Sequence, residues 1–202
     1  MQSFPLSLFV LVMFLKSLYP VPMLILGIDP GLQNTGWGLI HSEGHALRFH
    51  ASGTIRTVPT DTLAHRLSSL HIELCKIIEQ YSPDQAAVEE TFVNKNPASA
   101  LKLGQARGVI LAVPGLYDIE VSEYSANRVK KSVVGSGHAA KQQIGMMIRT
   151  LLPASMKENG GQIGADEADA LAVAICHAHY HPLSSRLNPA RPLAAAGGME
   201  GS

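Results

Sequence analysis

Two hundred and two residues, 46% apolar and 16% charged, are enough for one domain with a real core, and they exclude a compositionally disordered chain. Sixteen bases balance sixteen acids, which excludes a uniformly basic polyanion binder but not a locally basic one. Cys75 and Cys176 stand far apart, which excludes CxxC chemistry, a zinc ribbon and a disulfide framework and suits a reducing compartment.

Residues 1–22 differ from the rest of the chain. Their apolar run, Phe4 to Leu15, is broken by Pro5 and Ser7 and is shorter than the roughly 20 residues of a membrane span. No base precedes the run, and Ser17-Leu18-Tyr19 is a poor cleavage site for an export signal. The expectation is that Met23 is the native start and residues 1–22 an upstream extension, with an anchor or export signal as the alternative.

Leu24 to Asp29 is a short apolar run ending in an acid and then Pro-Gly, the pattern of a buried central strand. Gly36–Ile40 and Leu47–Thr57 read as two more strands with short connections, as in antiparallel hairpins. A helix capped by Thr60 or Asp61 follows, with Leu63, Leu67, Leu70, Leu74, Ile77 and Ile78 on one face, and Ser82-Pro83 ends it. Ala86–Glu90 is a fourth strand, again ending in acid. Pro97–Leu111 is a helix rich in small residues, and Ile119–Tyr124 a fifth strand. Helices at Ser125–Val133, Ala139–Leu152 and Ala165–His179 complete the body. The order predicts an α/β domain over 23–181, with a five-stranded mixed sheet flanked by helices. From Pro182 to Ser202 the Pro, Ala, Ser and Gly content predicts a disordered tail.

Four places carry acids that could share a site: Asp29 at the end of the first strand, Glu89 or Glu90 at the end of the fourth, and Asp166 and Asp169 on one face of the last helix. Gathered carboxylates repel, and a hard divalent cation removes that cost. Oxygen ligands without His or Cys favour Mg²⁺ or Mn²⁺ over Zn²⁺. Two such ions about 4 Å apart suit phosphodiester hydrolysis. Each acid also has a plainer reading, as a turn residue at Asp29 or helix N-terminal charge matching at Asp166 and Asp169. Yet Asp169 precedes the apolar run Ala170–Ile175, where an acid needs a partner. Glu89 and Glu90 face opposite ways in a strand, and parity alone does not choose between them.

Charge is unevenly spread. Between Thr91 and Lys157 nine bases face three acids, so a neutral chain holds a basic segment able to contact phosphates. The alternative is ordinary solvated helix faces. Gly135-Ser136-Gly137-His138 lies among these bases as a candidate phosphate loop. Phe92 follows the strand-end acids and either tucks into the core edge or stacks on an unpaired base.

GIDPGLQNTGWG at 27–38, VEETF at 88–92, NPASALKLGQARGV at 96–109, VKKSVVGSGHAAKQQI at 129–144 and ADEADALAVAICHAH at 165–179 resemble, in order, the RuvC family of Holliday junction resolvases. The resemblance spans about 155 residues. It implies an RNase H-like fold, a homodimer, and paired, metal-dependent cuts at four-way DNA junctions in recombination and repair. It implies Asp29, Glu89, Asp166 and Asp169 as metal ligands, with two Mg²⁺ per site and Mn²⁺ as an alternative. It places Lys130 and Lys141 near the scissile phosphate, either one catalytic, and Phe92 against the junction. Lys102, Arg107, Arg128, Lys131 and His138 complete the expected DNA contacts. RuvA and RuvB are the implied partners and the cytoplasm the implied location, with no membrane association. The apolar leader and the Gly-rich stretch Pro153–Gly164 depart from the family pattern. Two rivals stand. An actin-like or sugar-kinase-like ATPase needs a second domain that about 160 residues cannot hold. A non-cutting junction binder would be expected to lack one of the acids.

Overall fold

Apolar strand runs and amphipathic helices leave one economical arrangement, a sheet covered on both faces. The computed structural model of the chain describes residues 22–90, 96–137, 141–153 and 163–187, except for the side chains of Lys141 and of residues 182–187. Strands β1 (Met23–Asp29), β2 (Asn34–Glu43), β3 (Ala46–Arg56), β4 (Gln85–Glu90) and β5 (Glu120–Ser125) form one sheet in the order β3-β2-β1-β4-β5. The β1–β2 and β2–β3 pairs are antiparallel, and the β1–β4 and β4–β5 pairs are parallel. This is the meander followed by helical crossovers that the element order predicts.

Helix α1 spans Leu63–Tyr81. Its cap is Thr62, not Thr60 or Asp61: the Thr62 hydroxyl accepts from the His65 N–H, while Asp61 meets the His65 ring at 2.9 Å. Helix α2 spans Pro97–Leu116, five residues past the predicted end, and keeps Pro114 in its last turn. Asn96 caps it, accepting from the Ala98 and Ser99 N–H groups, and Pro97 fits the first turn, where no donor is needed. Helix α3 (Ala126–Val134) stops at Gly135, left-handed with φ 77°, whose N–H reaches the Lys131 carbonyl. Gly135 is therefore a helix terminator, which accounts for it without a phosphate loop. Helix α4 spans Lys141–Leu151.

Helix α5 spans Ala165–Leu187, well beyond His179. This bears on the first six residues of the expected tail, 182–187. Pro182, which in the sequence marks a helix stop, lies within α5, and residues 182–187 are helical. Residues 1–21 and 188–202 lie outside the described residues. Among the described residues no helix is long and apolar enough to cross a membrane.

Strand parity divides the core. Leu24, Leu26 and Ile28 of β1 and Ala86 and Val88 of β4 pack under α1 and α2. Ile25, Ala87 and Tyr124 pack on the other face, with α3, α4 and α5. Helix α5 is buried from Ala170 to Ala178 because the sheet covers one side of it and α3 and α4 cover the other. Each large side chain there, such as Leu171 or Ile175, contributes about 1.5–3 kcal/mol by burial.

Two glycines let α5 approach the sheet this closely. A Cβ at Gly27 would fall 2.6 Å from the Ala174 backbone nitrogen and closer still to the Ala170 carbonyl. A Cβ at Gly36 would strike the backbone of Asp166. The close approach sets the start of α5 against the end of β1, since Gly36 pairs in register with Asp29.

Candidate active site

The facing of the strand-end acids follows from the core. Ile25 and Ala87 point toward α5, so Asp29 and Glu89, at even steps along the same strands, project to that side. Glu90 shares the parity of Ala86 and Val88 and faces α1 and α2. Ile28 pairs with Val88, so the two acid-bearing strand ends lie side by side.

The helix-borne acids come from the first turns of α5. Acids there are favoured by the positive end of the helix dipole. Ser52 on β3 donates to the Glu167 carboxylate at 2.7 Å and holds this turn down. Sequence reasoning misses Glu167, hidden between two aspartates, because nothing in its spacing marks a contact 115 residues away.

The result is a cleft of about 240 Å³ lined by Asp29, Glu89, Asp169 and Lys130, with apolar walls from Ala126, Val129, Ile144 and Ala172. Three of the four expected acids and one expected lysine thus meet at one place. Asp166 lies one turn before Asp169, half-buried and against β2, outside the cleft lining. Lys141 opens α4 one turn before Ile144, and its side chain lies outside the described residues. Phe92 and His138 also lie outside them.

The remaining bases are dispersed. Arg128 and Lys131 are exposed on α3, and the Arg128 guanidinium lies 4.7 Å from the Tyr180 ring centroid. Lys102 is exposed on α2, across the sheet from the cleft. Arg107 is turned inward. Its Nη1 donates to the Glu89 carbonyl at 2.8 Å, and its other terminal nitrogen pairs with Glu123.

A buried polar chain that the sequence does not reveal lies beneath β4 and β5. The Tyr124 hydroxyl meets His177 Nδ1 at 2.9 Å, and His177 Nε2 meets the Gln85 carbonyl oxygen at 2.8 Å. The Gln85 amide donates to His181 at 2.7 Å. Burial, with His181 adding to it, lowers the His177 pKa to about 4. The ring is therefore neutral, and the pairing assigns its proton to Nε2 and the Tyr124 hydrogen bond to Nδ1. The one available hint is the four-residue spacing of His177 and His181, which puts both on one helix face.

The donors in the cleft are carboxylate oxygens, with no His or Cys among them. Among the described residues no group of three or more His, Cys, Asp and Glu forms a ready-made metal cage. Carboxylate oxygens of this kind fit a hard divalent cation.

A family profile described as "Crossover junction endodeoxyribonuclease RuvC" matches residues 25–177. The chain belongs to the RuvC family. It is 56% identical over 165 residues to the crossover junction endodeoxyribonuclease RuvC of Paramagnetospirillum magneticum, covering 82% of this chain and 96% of that one. It is 52% identical over 171 residues to the RuvC of Beijerinckia indica, covering 85% and 92%. Thermus thermophilus RuvC, solved in complex with a Holliday junction substrate, superposes with a TM-score of 0.73 at 30% identity, covering 81% of this chain and 97% of that one. A yeast mitochondrial Holliday junction resolvase, at 15% identity and a TM-score of 0.60, shares the fold. RuvC enzymes are metal-dependent nucleases. The matched span includes Asp29, Glu89, Lys130, Lys141, Asp166 and Asp169.

Proposed function

We propose that this RuvC chain resolves four-way DNA junctions by hydrolysing one phosphodiester in each of two paired strands. The observation that carries the reading is the cleft in which Asp29, Glu89 and Asp169 face Lys130. Asp29, Glu89 and Asp169, joined by Asp166 from the preceding turn, would hold divalent cations, Mg²⁺ in preference and Mn²⁺ as an alternative. When bound, such ions activate water and neutralise charge on the phosphodiester.

The chain's own residues do the rest. Lys130 places positive charge where the phosphate enters, and Lys141 is the second candidate for that work. The apolar walls lower the local dielectric, which strengthens each of these charge interactions. Breaking the bond to the 3′ oxygen leaves a 5′-phosphate and a 3′-hydroxyl, ends that a ligase can seal. Arg128, Lys131 and Lys102, with Phe92 and His138 from the segments outside the described residues, extend the DNA contact.

Paired cuts require two cleft copies, so the working form is a homodimer with two-fold symmetry. RuvA and RuvB are the expected partners and the cytoplasm the expected location. The test uses the whole protein with a synthetic four-way junction and a linear duplex of the same sequence. Paired nicks in the junction alone, present with Mg²⁺ and lost with a chelator, are expected. Equal cutting of the duplex, or cutting in chelator, overturns the proposal.

A further inference from the structure

Arg107 interrupts an apolar helix face. Ala106, Ile110 and Val113 are buried against the sheet, and Arg107 falls three residues before Ile110 and four after the half-buried Leu103. Its side chain is only 20% exposed. A guanidinium in such a place needs acceptors. It has two, the Glu89 main-chain carbonyl on β4 and the Glu123 carboxylate on β5. Tyr124 faces α5, so its neighbour Glu123 faces α2 and is within reach. One planar fork thus ties together α2, the end of β4 and β5. A lysine's point charge would not reproduce that geometry.

Glu89 is the penultimate residue of β4. Its carboxylate lines the cleft on the α5 face, while Arg107 holds its main chain from the α2 face. We propose that Arg107 is a positioning residue for Glu89. It fixes the end of β4 so that the Glu89 carboxylate keeps its place in the cleft, and it does not contact DNA. The inference rests on reading that cleft as the cutting site.

The test uses the full chain carrying Arg107→Met, and the double variant Arg107→Met with Glu123→Met, which leaves no unpaired charge behind. Steady-state cutting of a four-way junction is measured with Mg²⁺. Junction affinity is measured in chelator across a salt series, and melting is followed for each protein. Arg107→Met is expected to lower kcat at least ten-fold with KM within two-fold of the parent. Its junction affinity and the slope of that affinity with salt are expected to match the parent's. The double variant is expected to melt close to the parent and still cut at least ten-fold more slowly. A weaker affinity with the salt slope reduced by about one marks a phosphate contact and overturns the positioning role. Parental kcat in the folded double variant overturns it as well. A parent protein that binds junctions but never cuts them overturns the reading of the cleft itself, and the positioning role with it.

Discussion

Replacing Gly27 by alanine tests whether the close packing of α5 on β1 places the acids. The new Cβ would lie 2.6 Å from the Ala174 nitrogen and 2.9 Å from the Ala174 Cβ, where ordinary contact begins at 3.4 Å. The opposing atoms include backbone, so no rotamer change relieves the clash, and α5 must withdraw by close to an ångström. Overpacking of this kind costs about 2 kcal/mol. In a domain of this size that lowers the melting temperature by about 4–8 °C. Asp169 sits one residue before Ala170, against whose carbonyl the new Cβ presses. A displacement near 1 Å at such a group lowers a cutting rate by about 100-fold. The assay pairs thermal melting with single-turnover junction cutting, using Gly104→Ala as the control. Gly104 sits on α2 with nothing within 4 Å of its would-be Cβ, so alanine there raises helix stability by about 0.5–1 kcal/mol. Parental melting and parental cutting in Gly27→Ala would refute the argument that this contact sets the helix position.

Three further outcomes are expected. Asp29→Asn, Asp166→Asn and Asp169→Asn should each abolish cutting while junction affinity in chelator stays within about three-fold of the parent, as gel-shift titration would show, because binding rests on the basic groups. Lys130→Ala should slow cutting by about 10–100-fold, and Lys131→Ala, exposed and outside the cleft lining, by far less; comparable losses would contradict the placement of Lys130. His177, lowered from 6.5 to about 4 by burial, takes up a proton in the unfolded chain at a pH where the folded protein refuses it. The stability it contributes, about 3 kcal/mol at most, is present above pH 6.5 and lost as pH falls toward 4. Histidine NMR should show a neutral ring with its proton on Nε2 at pH 6, and an imidazolium there would contradict the assignment.

The sheet and its central helix are legible in the sequence because their physics is local. Leu24–Ile28 is apolar at every position because β1 is buried on both faces, and Ala170–Ile175 is apolar for the same reason. Strand-end and helix-start acids are legible as residue types in suggestive places. Their convergence is legible only through the resemblance to the RuvC family, because pattern alone does not give register. Periodicity and spacing do not say that Ile28 pairs with Val88 or that Ala87 faces α5, and those two facts give the physical reason that Glu89 rather than Glu90 points into the cleft.

Arg107 counts toward a basic segment in the sequence because a charge sum ignores facing. Its position on the α2 apolar stripe, between Leu103 and Ile110, is the available signal for an inward role. The length of α5 is hidden by Pro182, where a residue that usually ends helices sits inside one. Gly27 and Gly36 read as ordinary strand residues. Their purpose appears only when α5, more than a hundred residues later, packs against them.

The most direct test of the account compares Glu89→Gln with Glu90→Gln in junction cutting at saturating Mg²⁺. The two acids are adjacent, chemically identical and turned to opposite faces of the sheet, so the comparison isolates the cleft. The account predicts that Glu89→Gln cuts nothing while still binding the junction, and that Glu90→Gln cuts within a few-fold of the parent. Loss of cutting in Glu90→Gln with cutting retained in Glu89→Gln would contradict it.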